Sequence, residues 1–158
     1  MGKSEKGGEG LLVKDVTARH SRRKLPIVRF DDSIRTVIKA MEYYRHSRRL
    51  YIVDVSGRFK GCITLNDLVE HVFHHHQWDS IHPRGLLGVI TTEKAEHLMI
   101  RETIHAVLED EVDKVVERMI DKGVEEIPIL DEAGNVVADL TMIDLMRIYE
   151  DTSLDQEE

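Results

Sequence analysis

The sequence predicts an α+β fold made of two pseudo-symmetric repeats packed through their sheets. Three observations predict it. Displacing the chain by 77 residues lays YIVDVSGRFKGCITLNDL, from Tyr51, on PILDEAGNVVADLTMIDL, from Pro128, with six of 18 positions identical. Unrelated segments of average composition share about one. Upstream of each copy stands an apolar stripe with helical spacing, and within each copy two short apolar runs flank a glycine turn. Two copies at so long a period describe a duplicated module rather than a solenoid.

The elements follow in order. Residues 1–10, MGKSEKGGEG, hold no apolar stretch and are expected to be a disordered tail. Ile34, Val37, Ile38 and Met41 recur at i, i+3, i+4, i+7, as do Val112, Val115, Val116 and Met119. Each set marks an amphipathic helix, with Asp32-Ser33 and Asp110 supplying N-cap oxygens. Leu50 to Val53 and Ile127 to Leu130 read as strands, followed by turns at DVSG and DEAG. Second strands at Phe59 to Ile63 and Val136 to Leu140 lead into helices starting near Asn66 and Ile143. Neither half is large enough to bury its own sheet well, so the halves should share a core. The expected boundaries are residues 11–76 for repeat one, 77–93 for a linker, 94–149 for repeat two and 150–158 for an acidic tail.

Charge and cysteine content narrow the function classes. The net charge is −8, but residues 1–84 carry 16 Lys+Arg against 10 Asp+Glu and residues 85–158 carry 6 against 20. An acidic chain of this kind does not suit duplex nucleic acid, which needs many cations on one face. A local anion site in the first half stays open, as does docking between oppositely charged surfaces. Cys62 is the sole cysteine, so no internal disulfide or cysteine-based zinc site forms, and a reducing cytoplasm is expected. No apolar run is long enough for membrane insertion. There is no G-x-S-x-G, H-E-x-x-H or complete phosphate loop, so an enzyme is not expected and no catalytic residue is assigned.

Taken together, the paired LNDL and MIDL helix starts, GCIT and ADLT strand ends and Asp54 and Asp131 turns resemble the tandem cystathionine-β-synthase (CBS) domain pair, or Bateman module, over residues 11–149. The resemblance adds entry strands at LLVKDVT, from Leu11, and KAEHLMI, from Lys94, giving each repeat the order β-α-β-β-α. It implies a regulatory module, commonly a homodimer, that binds an adenosine-containing ligand such as AMP, ADP, ATP or S-adenosylmethionine between its repeats. No cofactor is required, and the regulated partner is an unspecified protein. The resemblance assigns ribose and phosphate contacts to Thr64 with Asp67, and to Thr141 with Asp144. The same residues can instead simply cap their helices.

Arg48 and Arg49 stand where related nucleotide-binding members place a basic pair against phosphate. Arginine suits that task, because its planar fork makes two parallel bonds and never loses charge; as an alternative, the pair is solvated surface. Repeat two carries Glu125 and Glu126 there, Asp139 in place of Cys62 and Ala138 in place of Gly61. Two unequal sites follow, with the one lined by Arg48 and Arg49 better suited to phosphate. The basic loop RHSRRK offers further phosphate contacts through Arg22, Arg23 or Lys24, or is a solvated loop. His71, His74 and His75, one helical turn apart, have metal-ligand spacing, but no local carboxylate or cysteine completes a set, and no metal is assigned. Their alternative, with Phe73 and Trp78, is an interface between copies. Two further readings stay open beside the nucleotide sensor: a ligand-free interaction scaffold, and a metal-responsive module using the histidines.

Overall fold

The computed structural model describes residues 10–20, 23–74, 93–101 and 103–154. Along the chain, helix α1 (Val13–His20) is followed by strand β1 (Ile27–Arg29), α2 (Ile34–Tyr43), β2 (Arg49–Val53), β3 (Phe59–Thr64) and α3 (Leu65–His74). The second half runs α4 (Ala95–Leu98), β4 (Ala106–Val107), α5 (Val112–Lys122), β5 (Glu126–Leu130), β6 (Val136–Thr141) and α6 (Met142–Leu154). Two three-stranded sheets result, ordered β1-β2-β3 and β4-β5-β6, each with one parallel and one antiparallel pair.

The 77-residue correspondence holds down to register. Tyr51 pairs with Cys62 as Pro128 pairs with Asp139, and both hairpins carry an irregularity, between Ile52 and Val53 and between Ile129 and Leu130. Both turns are built by an aspartate. The Asp54 carboxylate accepts from the Ser56 and Arg58 amides, the Asp131 carboxylate accepts from the Asn135 amide, and Gly57 and Gly134 each take φ +85°. That left-handed conformation is cheap only for glycine, which accounts for the identity of both residues across the repeats. The turns also meet, with the Phe59 amide donating to the Gly134 carbonyl at 2.9 Å.

Alternation along the strands sends one face of each sheet into its own helices and the other toward the second repeat. Ile34, Val37 and Met41 of α2 pack with Leu50, Ile52 and Ile63, while Val112, Val115 and Met119 of α5 pack with Ile127, Ile129 and Leu140. The opposite faces hold Tyr51 and Cys62 of repeat one and Asp139 of repeat two, all essentially inaccessible.

Three local expectations are corrected. The leading strands are not at Leu11 or Lys94, whose segments form α1 and α4, but at Ile27–Arg29 and Ala106–Val107. Ser33 caps α2 by accepting from the Thr36 amide, but Asp110 does not cap α5. Its carboxylate accepts from the Val107 amide and from Arg118, leaving Glu111 at the N-cap with no side-chain bond to the helix amides. Residues 150–154, expected in the acidic tail, continue α6.

The entry helices are exchanged. Val13 and Val16 of α1 lie in the core of repeat two, and Ala95 of α4 lies in the core of repeat one. Backbone bonds fix both placements: the Val13 amide donates to the Asp110 carbonyl and the Ala95 amide to the Asp32 carbonyl.

Candidate functional site

Each repeat ends its second strand in a threonine that begins a helix. Thr64 Oγ1 accepts from the Asp67 amide at 3.1 Å, and Asp67 Oδ2 accepts from the Thr64 amide at 3.0 Å and from its hydroxyl at 2.6 Å. Thr141 and Asp144 repeat the two backbone bonds at 3.1 and 2.9 Å. This reciprocal arrangement is a capping box with aspartate in the third position, so the capping role is realised at both corners. It also fixes each aspartate's rotamer beside a cleft.

The first cleft, about 470 Å³, is lined from repeat one by Arg48, Arg49, Thr64, Leu65 and Asn66, and from repeat two by Gly123, Glu125 and Glu126. Asp67 stands behind Thr64 rather than on the lining, and its Oδ1 makes no hydrogen bond among the described residues. The second cleft, about 560 Å³, is lined by Thr141, Met142, Ile143 and Arg147, by His46 and Arg48 of repeat one, and by Arg23, Glu125 and Glu126. The sites are therefore not assigned one to each repeat. Arg48, Glu125 and Glu126 border both clefts.

Glu126 is tied down at this junction. Its carboxylate lies 2.8 and 2.9 Å from the Ser47 hydroxyl and accepts from the Arg48 amide at 3.2 Å. Burial pushes its pKa above the ordinary carboxylate range, and the bonds from Ser47 and Arg48 do not fully offset it.

The second corner differs from the first through Arg23. Its Nη1 and Nη2 donate to the two Asp144 oxygens at 3.0 and 2.6 Å, and its Nε donates to Asp139 Oδ1 at 3.0 Å. Burial raises the Asp139 pKa despite Arg23. At Asp144, burial is outweighed by the Arg23 and Thr141 hydrogen bonds, and the carboxyl is held below its usual range. Arg23 explains how a charge is tolerated on the packed strand β6. Among the three basic-loop candidates, Arg23 is thus spent on carboxylates, Lys24 lies beside the Tyr43 hydroxyl at 3.1 Å, and Arg22 falls outside the described residues.

Of the histidines, His71 meets Glu93, a carboxylate 22 residues away that no spacing rule pairs with it. The His74 side chain, His75 and Trp78 fall outside the described residues. Among the described residues no three metal-ligating side chains cluster.

A duplicated αβ unit, joined through its sheets and leaving a cleft with charged residues in its wall at each strand-to-helix corner, defines a paired-repeat module with two inter-repeat clefts. The CBS domain family model matches residues 13–74 and 95–151, and the chain belongs to that family. No curated protein matches the chain. Among solved structures it is similar to the CBS domain pair of protein MJ0100 in complex with 5′-methylthioadenosine and S-adenosyl-L-methionine. That similarity has 23% identity and a TM-score of 0.65, covering 90% of this chain and 98% of that one. Protein MJ1225 from Methanocaldococcus jannaschii is similar at 22% identity and TM-score 0.75, over 90% of this chain and 51% of the other. The cytosolic domain of the Mg²⁺ channel MgtE in complex with ATP shares 20% identity and a TM-score of 0.59, over 77% of this chain and 44% of the other. No described helix is long and apolar enough to cross a membrane.

Proposed function

We propose that this chain is a cytoplasmic regulatory module that binds an adenosine-containing ligand (AMP, ADP, ATP or S-adenosylmethionine) and transmits occupancy to a partner protein. The observation that carries the reading is the first cleft, where Arg48, Arg49 and Thr64 converge beside Asp67, whose Oδ1 is uncommitted. An ionised carboxylate accepts ribose hydroxyls, and arginines take phosphate or carboxylate in parallel bonds. The similar MJ0100 pair carries adenosine-type ligands, and the MgtE domain carries ATP, which supports the same ligand class. A ligand held by both repeats can shift their arrangement only by its differential affinity for the two states.

Asp67→Asn retains an acceptor for the Thr64 amide while removing the carboxylate, and Arg49→Ala removes one cation. Each is expected to weaken binding of the preferred nucleotide by about tenfold or more, about 1.4 kcal/mol. Titration calorimetry against AMP, ADP, ATP, S-adenosylmethionine and adenosine itself checks this, and unchanged affinity in both variants rejects the site.

Glu126 makes a second, signed prediction. Its charge opposes a phosphate in the same cleft, so Glu126→Gln should strengthen AMP binding by a few-fold, about 1 kcal/mol. Because the folded-state pKa of Glu126 is raised, the wild-type carboxyl takes up its proton before ordinary carboxylates as pH falls. The advantage of the variant should therefore be largest at neutral pH and shrink on acidification; a ratio independent of pH contradicts the role.

A homodimer completes the reading. Leu65, Val69 and Phe73 of α3, spaced by four, and Ile143, Met146 and Tyr149 of α6 are exposed apolar side chains, of which Leu65, Val69 and Ile143 line the clefts. Sedimentation should give twice the 18.2 kDa chain mass, and Met146→Glu should lower it toward one.

A further inference from the structure

The two corners are alike in sequence but not in what meets them. Among the described residues Asp67 holds only its own Thr64, whereas both oxygens of Asp144 are taken by Arg23, which also holds Asp139. The side chains of Asp139 and Asp144 are 0% and 3% exposed, while Arg23 is 22% exposed and forms part of the wall of the second cleft. From this geometry we infer that Arg23 is a built-in occupant of the second ribose position, so that each chain binds one adenosine-type ligand, in the Arg48–Arg49 cleft, and none in the other. This rests on the ribose role proposed for the paired aspartates.

Displacement by ligand is unfavourable for definite reasons. A ribose diol offers two neutral hydroxyl donors, and the bonds it would replace are charge-assisted, bidentate and roughly twice as strong. Releasing Arg23 would also leave buried Asp139 without its hydrogen-bonded counter-charge and Asp144 with only the looser Arg147, 4.0 Å away. Arginine does not deprotonate at accessible pH, and its hydrogen bond to Asp144 holds the proton still more firmly, so acidity or alkalinity does not open the position. Repeat one shows the alternative arrangement, in which Cys62 replaces Asp139 and the aspartate keeps a free oxygen.

The test counts ligands. Adenosine titrated into the wild-type protein should bind at one equivalent per chain, lost in Asp67→Asn and retained in Asp144→Asn. The double variant Arg23→Ala/Asp139→Cys places on the second strand the cysteine that repeat one has as Cys62, and removes the second buried carboxylate together with its partner. It should bind two equivalents, one of them lost on adding Asp144→Asn. Two equivalents in the wild type, or loss of the wild-type equivalent in Asp144→Asn, overturns the inference while leaving the nucleotide reading intact. One equivalent in a folded double variant, by melting curve, also overturns it. Binding by neither protein overturns the nucleotide reading and the inference together. Should the double variant not fold, the contrast between Asp67→Asn and Asp144→Asn in the wild-type background still decides which corner is occupied.

Discussion

Arg23→Ala is expected to lower the unfolding free energy by about 3–5 kcal/mol, the usual cost of removing one partner from a buried ion pair. Two carboxylates share this cation, Asp139 Oδ2 has no hydrogen-bond partner among the described residues, and Arg147, the other cation beside the pair there, stands 4.0 Å from Asp144 Oδ1, too far to replace the hydrogen bonds Arg23 makes. Most of the loss should come from the stranded charges rather than from the missing bonds. Adding Asp139→Cys should therefore recover a large part of it, and Arg23→Lys, which keeps the charge but loses the parallel fork, should fall between. Urea unfolding followed by circular dichroism measures all three. A change below about 1 kcal/mol for Arg23→Ala would show that the triad is solvated in solution and contributes as little as a surface pair.

Gly61→Ala should be severely damaging, because among the described glycines Gly61 is the one with backbone closest to an added methyl group. A Cβ at Gly61 would lie 2.4 Å from the Ile100 carbonyl oxygen and 3.1 Å from its carbon. That backbone cannot move freely, because Ile100 and Cys62 exchange both amide-to-carbonyl bonds, at 3.0 and 2.8 Å. Relief requires breaking them and lifting the segment after α4 off β3. Two lost bonds and the local strain amount to about 2 kcal/mol or more. The mirror change, Ala138→Gly, should cost only about 0.5–1 kcal/mol through chain entropy. Thermal melts compare the pair, and equal effects would mean that Ile100 does not hold this approach in solution.

What the sequence made legible was local. The stripes of α2 and α5, the paired hairpins and the aspartate-glycine turns follow from periodicities of 3.6 and 2 and from turn chemistry, all within about a dozen residues. Errors began where the deciding contact lay far away. The family resemblance put an entry strand at LLVKDVT, yet Val13 and Val16 meet a core supplied by residues about 100 positions later, and that core accepts them as a helix. Asp139 was visible as an anomaly on a packed strand, but its counter-charge is 116 residues upstream. Thr64, Arg48 and Arg49 line one cleft, with Asp67 bonded to Thr64. That Glu125 and Glu126 share their cleft depends on how the two sheets meet, which no internal repeat encodes.

The exchanged entry helices have a consequence for folding. Cutting the chain between the repeats would separate each core from the helix that closes it, so neither piece retains a complete hydrophobic unit, and the two halves should unfold in one cooperative transition. A single repeat, as an independent chain, could satisfy its core only by lending its helix to a second copy, which is a domain-swapped dimer. The 158-residue protein has the architecture of such a dimer fused into one polypeptide, with the intermolecular step of assembly replaced by closure of a loop.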